Sequence, residues 1–99
     1  MSGEEVEFAR VTYFTMDLDE YETTKKILDR IKEKVRRIKG LRKTATTLNR
    51  VTGEGVTIAI YPNKKSLKES EKEAEKIWNV LEGVVIKKED EVHEVIFNI

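Results

Sequence analysis

Arg50, Tyr61 and a run of threonines share one stretch, LRKTATTLNRVTGEGVTIAIYP, and they are the residues whose types could act on a ligand together. A tyrosine hydroxyl can donate to a substrate oxygen, and a guanidinium can hold an anionic oxygen or a carboxylate. Thr46 and Thr57 would border the same surface, and Trp78 offers a flat apolar wall. These five, Arg50, Tyr61, Thr46, Thr57 and Trp78, are the pocket candidates, and no catalytic residue is assigned. Each also has a plainer use. Arg50 and Tyr61 suit a hydrogen-bonded interface between chains, Trp78 suits core packing, and threonines are ordinary strand formers.

Other chemistries find little support. His93 is the single histidine. A histidine is the usual general base near neutrality, but one at the start of a strand is more simply structural. It shares its parity with Val95 and Phe97. With one histidine and no cysteine, neither a metal site nor a thiolate nucleophile is expected. No cofactor is expected. TGEG reads as a hairpin turn rather than a phosphate loop, and VTIAIY lacks the aromatic signature of an RNA-recognition sheet.

The chain has 99 residues, with 19 basic and 19 acidic, and so no net charge to recruit nucleic acid or membrane. Its length predicts a single domain over 1–99, with 1–5 as a disordered tail. Residues 25–43 carry ten basic and two acidic groups. Without interleaved aromatics, that block fits a solvated helix face better than a nucleic-acid platform, and nucleic acid is not expected as a partner. No apolar run approaches the roughly 20 residues of a membrane span, and MSGEEVEF has no apolar signal region, so a cytoplasmic location is expected. The abundance of Lys and Glu is compatible with a thermostable protein.

Periodicity supplies the elements. VEFARVTYFT, Val6 to Thr15, is rich in β-branched and aromatic residues and predicts a strand. Asp19 and Glu22 have capping-box spacing, and Tyr21, Thr24, Leu28, Ile31, Val35 and Ile38 then form one helical stripe ended by Gly40. Arg42 to Arg50 and Val56 to Tyr61 predict a hairpin in which Gly53 and Gly55 supply positive φ. Ser66 and Glu69 start a second helix with Leu67, Ser70, Ala74, Ile77, Leu81 and Val84 on its stripe and Trp78 beside it. After a short connection, VVIKKED, the segment Glu91 to Ile99 predicts the last strand. The order is βαββαβ, which predicts an α+β, ferredoxin-like sandwich: a four-stranded antiparallel sheet with two helices on one face.

Alternation along the hairpin separates Val56, Ile58 and Ile60 from Thr44, Thr46, Leu48, Arg50, Thr57, Ala59 and Tyr61. The aliphatic set is expected to face the helices, joined by Val95, Phe97 and Ile99. The mixed set then lies on the open side, too apolar to be simply solvated. It is expected to pack against the sheet of a second copy, giving a homodimer with polar groups around a cavity.

The segment IKGLRKTATTLNRVTGEGVTIAIYPNKKSLKESEKEAEKIWNVLEG resembles the dimeric α+β barrel proteins of the antibiotic-biosynthesis-monooxygenase type. A helix ends at a glycine, a strand with T-L-N-R residues follows, and after a tight turn a third strand ends in an aromatic, Tyr61. A charged, alanine-containing helix opens shortly afterwards. The likeness in length and element order runs from about Val6 to Asn98. It implies a barrel dimer that binds a small aromatic or quinone-like molecule. Some members are cofactor-independent oxygenases acting on electron-rich aromatic or quinol substrates, which implies a cofactor-independent monooxygenase as one expectation here. The resemblance assigns no site residue; from their own chemistry, Arg50 and Tyr61 are the groups expected to hold an electron-rich substrate anion. Haem-degrading members use an asparagine on the first strand and a histidine on the second helix, and this chain has neither. Two alternatives stay open: a non-enzymatic binding or self-assembly module, and a nucleic-acid binder using Arg36, Arg37, Lys39, Arg42 and Lys43.

Overall fold

The computed structural model describes residues 6–99, so the expected tail at 1–5 lies outside the described residues. The chain runs β1 (Phe8–Met16), α1 (Tyr21–Arg36), β2 (Lys43–Leu48), β3 (Glu54–Tyr61), α2 (Lys64–Glu69), α3 (Glu71–Val80) and β4 (Val85–Glu94). The strands lie in the order β2-β3-β1-β4, with every neighbouring pair antiparallel. This is the expected ferredoxin-like sandwich, with its second helix in two pieces that meet at Ser70.

Several boundaries move for local reasons. The chain enters α1 through a 3-10 turn, Leu18–Glu20, where Asp17 Oδ1 accepts from the Asp19 amide at 2.9 Å. Asp17 therefore takes the capping role expected of Asp19, and Glu20 precedes α1 without a side-chain cap. Similarly, Asn63 rather than Ser66 caps α2, accepting from the Ser66 amide at 2.8 Å. Within the hairpin only Gly53 has positive φ, at 81°. Gly55 lies in β3 opposite Phe14, and a methyl group there would overlap the Phe14 ring and the Thr47 carbonyl oxygen. The last strand begins at Val85, inside the segment expected to connect, because β1 continues to Met16 and needs a partner there. It ends at Glu94, so Val95, Phe97 and Ile99 lie beyond the strand, and Phe97 and Ile99 are exposed rather than under the helices.

The largest departure concerns the two faces of the sheet. Phe14 and Met16 of β1 pack with Ile31, Leu81 and Val85, and Tyr61 of β3 packs with Ile38 and Leu67. The helices therefore cover the mixed face, not the aliphatic one. Pairing carries this across the sheet: Thr44 lies opposite Ala59, Thr46 opposite Thr57 and Leu48 opposite Gly55. Val56, Ile58 and Ile60 fall on the open side with Ala45 and Thr47. The reason is bulk. Phe8, Phe14, Met16 and Tyr61 share one parity, and four large side chains outweigh three aliphatic ones in deciding which face the helices bury.

β4 is tied to the rest by charge. Thr12 Oγ1 donates to Asp90 Oδ1 at 2.6 Å, and Lys87 Nζ meets Asp90 Oδ2 at 2.7 Å and Glu75 Oε2 at 3.0 Å. The network joins β4 to β1 and α3. Burial pushes the Asp90 carboxyl up, but the hydrogen bonds from Lys87 and Thr12 outweigh it and hold the group below its ordinary 3.8.

Two outcomes follow. Gly55→Val forces the Phe14 ring aside and is expected to cost about 1–3 kcal/mol, as overpacking does, read from the urea midpoint; an unchanged midpoint would place Phe14 elsewhere. Because the Asp90 carboxyl is depressed on folding, its stabilising contribution is present above the unfolded value of 3.8 and lost as pH falls through the folded one. Asp90→Asn is therefore expected to destabilise at pH 7, with its difference from the parent shrinking by about pH 3. An equal difference at both pH values would remove the ionic role.

Candidate functional site

Between the covered face of the sheet and the helices lies a cavity of about 580 Å3. It reaches both halves of the core, from Phe14 and Leu81 at one end to Ile38 and Tyr61 at the other. The helices contribute the apolar Leu28, Ile31, Val35, Ile77 and Trp78, with Lys25, Lys32 and Arg36 of α1 beside them. The sheet forms a floor that is polar at intervals, carrying Arg10, Thr12, Thr44, Thr46, Thr57 and Tyr61. An apolar enclosure with a few converging polar groups is the common form of a small-molecule site.

Four of the five candidates line this cavity: Tyr61, Thr46, Thr57 and Trp78. Trp78 packs its ring against Phe14 with centroids 5.7 Å apart and planes tilted by 51°. Thr46 and Thr57, facing each other across β2 and β3, share a hydrogen bond of 2.8 Å between their hydroxyls. Arg50 is not among the lining residues. β2 ends at Leu48, so Arg50 lies in the turn and its guanidinium rests 3.6 Å from the centroid of the Tyr21 ring. Tyr21 does line the cavity, which puts Arg50 behind the wall. His93 is also elsewhere. It sits opposite Ala9 on the open face, exposed, with Nε2 2.9 Å from Glu91 Oε1. Glu91 also accepts from the Tyr13 hydroxyl at 3.3 Å, and the charge of Glu91, with burial, pushes the Tyr13 phenol up.

The group the sequence reading missed is Arg10. It lies on β1 between Phe8 and Thr12, on the covered parity, and only 7 % of its surface is exposed. Nη2 donates to the Leu67 carbonyl oxygen at 2.8 Å and to Ser70 Oγ at 3.4 Å. Nη1 donates to the Tyr61 hydroxyl at 3.3 Å, and the guanidinium carbon stands 5.5 Å from the Tyr61 ring centroid. The hydrogen bonds explain the break between α2 and α3. Leu67 O also accepts from Ser70 Oγ at 2.8 Å, so a serine and an arginine occupy the carbonyl where the helix turns. Tyr61, itself 1 % exposed, accepts from Arg10, and its own hydroxyl hydrogen makes no hydrogen bond among the described residues. A signal was present: in VEFARVTYFT, Arg10 shares the alternation of Phe8 and Phe14.

No protein-family profile and no curated protein matches this sequence. Its shape has clear counterparts. MupZ from Pseudomonas fluorescens superposes with a TM-score of 0.74 at 16 % identity, covering 89 % of this chain and 71 % of that one. SnoaB, a cofactor-independent oxygenase from Streptomyces nogalater, gives 0.69 at 15 % identity over 94 % of this chain and 96 % of its own. A Nitrosomonas europaea protein provisionally named an antibiotic biosynthesis monooxygenase gives 0.72 at 11 % identity, covering 98 % and 97 %. At these identities the likeness is one of fold. The chain has the ferredoxin-like fold of the antibiotic-biosynthesis-monooxygenase-like proteins, as the resemblance in its sequence implied.

Proposed function

We propose that this protein binds a small aromatic or quinone-like molecule in the cavity between sheet and helices and oxidises it as a cofactor-independent monooxygenase. The observation that carries the reading is the cavity itself, about 580 Å3, with Trp78 and aliphatic side chains above and Tyr61, Arg10 and threonines below. A planar ring system fits between an apolar roof and a floor whose hydroxyls can orient its oxygens. The fold shared with SnoaB, named a cofactor-independent oxygenase, supports the choice of reaction. The atoms balance without an added reductant. A ring CH2 that becomes C=O supplies four electrons and two hydrogens; one atom of O2 becomes the carbonyl oxygen and the other leaves as water. Tyr61 takes the role expected of it, and Arg10 takes the one expected of Arg50. A binding module without turnover is the second reading, since the same cavity serves both.

We also propose that two copies pack through the open face of the sheet. With the mixed face under the helices, the surface left for a partner is the aliphatic one, where Ile58 is 40 % exposed. A small domain gains much by covering such a face.

Oxygen consumption with a panel of electron-rich phenols and hydroquinones whose keto tautomers carry a ring CH2, with the new carbonyl oxygen traced from labelled O2, tests the enzyme reading. Uptake that falls at least about tenfold in Tyr61→Phe is expected, on the scale of one lost charge-stabilising donor. Tight binding with no uptake by any member would leave the binding module. Light scattering at micromolar concentration tests the assembly, with a dimer expected for the parent and a monomer for Ile58→Glu. A monomeric parent would remove the dimer.

A further inference from the structure

Arg10 is a cation set into the structure without a matching anion. Among the described residues no carboxylate oxygen lies within 4 Å of it. Asp90 is near enough to feel its charge but is already paired with Lys87 at 2.7 Å. All three hydrogen bonds of Arg10 go to neutral oxygens, those of Leu67, Ser70 and Tyr61. A guanidinium has five N–H donors, so Nε–H and one N–H of Nη1 are unused. No buried side-chain nitrogen or oxygen among the described residues lacks a partner, so Nε remains reachable rather than sealed. A charge this deeply buried is costly unless something completes its coordination.

The charges around the cavity agree. Every charged residue on its lining is a cation: Arg10 in the floor and Lys25, Lys32 and Arg36 along α1. Arg36 also pairs with Glu33 at 2.7 Å; the two lysines make no ion pair among the described residues. No Asp or Glu lines the cavity, although the chain as a whole holds 19 of each sign. A cleft lined by one sign of charge within apolar walls concentrates ligands of the opposite sign.

We propose that the ligand of this cavity is an aromatic carboxylic acid, ionised before it enters, whose carboxylate seats on Arg10 while its ring lies against Trp78. This rests on the binding reading above and narrows it to a substrate class. The carboxylate takes the unused N–H donors of Arg10 and the hydroxyl hydrogen of Tyr61. The lysines on α1 attract it at the entrance.

Trp78 is the only tryptophan, so its fluorescence reports occupancy of the cavity directly. Anthraquinone-2-carboxylate and anthraquinone-2-carboxamide are nearly equal in size and differ by one charge. The carboxylate is expected to quench Trp78 with a Kd at least about tenfold lower than the carboxamide, the scale of a charge-assisted hydrogen bond. Raising salt should weaken the carboxylate alone, and Arg10→Met should abolish the gap while the carboxamide still binds. If Arg10→Met does not fold, the parent's preference and its salt dependence decide. Equal Kd values in the parent would overturn the anion proposal and leave the aromatic site standing. Quenching by neither compound, with quenching by neutral hydroquinones, would do the same. Quenching by no aromatic at all would remove the binding reading and this proposal together.

Discussion

A β-strand cannot turn one side chain inward without turning its alternate neighbours inward as well, and this constraint on β1 shapes the molecule. Phe14 and Met16 must lie beneath the helices to complete the core with Ile31, Leu81 and Val85. Their parity carries Thr12 and Arg10 with them, and both are buried. The pairing then commits Thr57, Ala59 and Tyr61 on β3, and through them Thr44 and Thr46 on β2. A single geometric rule, anchored by two large side chains at one end of one strand, thus builds a floor of hydroxyls and one cation.

That floor also accounts for the empty space above it. Threonine and alanine are short, and they occupy the middle of the covered face at Thr12, Thr46, Thr57 and Ala59. The large residues gather at the ends, where Phe14 closes one side and Tyr61 the other. A core filled for stability alone would place branched aliphatics centrally, since interiors approach crystal-like density. Here those aliphatics, Val56, Ile58 and Ile60, sit on the opposite face. Gly55 shows how closely the ends are packed, because the Phe14 ring occupies the space a Cβ would need.

Element order, topology and the location of the hairpin were readable from hydrophobic period and from Gly, Pro and Asn positions, because those signals are local. The facing of the sheet was not. Val56, Ile58 and Ile60 look like core by hydropathy, and only the summed volume of Phe8, Phe14, Met16 and Tyr61 across two strands decides against them. Tyr61, Thr46, Thr57 and Trp78 line the cavity together because strand parity and helix spacing survive an error in which face is which. Arg50 was misplaced by two residues of strand length, since β2 stops at Leu48. Arg10 escaped notice because a charge inside an apolar strand reads as a surface residue until its neighbours are known. The early start of β4 was hidden by KKED, whose charges look like a turn but whose Lys87 and Asp90 serve an ion network.

The hairpin strand β2 is bonded to the sheet along one side only, whereas β1 lies between two partners. Its residues Lys43 to Thr47 are all exposed, yet Thr44, Thr46 and Leu48 form part of the cavity lining. The cavity therefore has a stiff wall and a soft one. Displacing β2 breaks one ladder and removes Leu48 from the edge of the Phe14 cluster, whereas moving β1 breaks two ladders and the centre of that cluster, so β2 needs less free energy to move. The Thr46–Thr57 hydroxyl pair and the bond from Thr47 Oγ1 to the Val56 carbonyl are the side-chain ties that reinforce this single ladder.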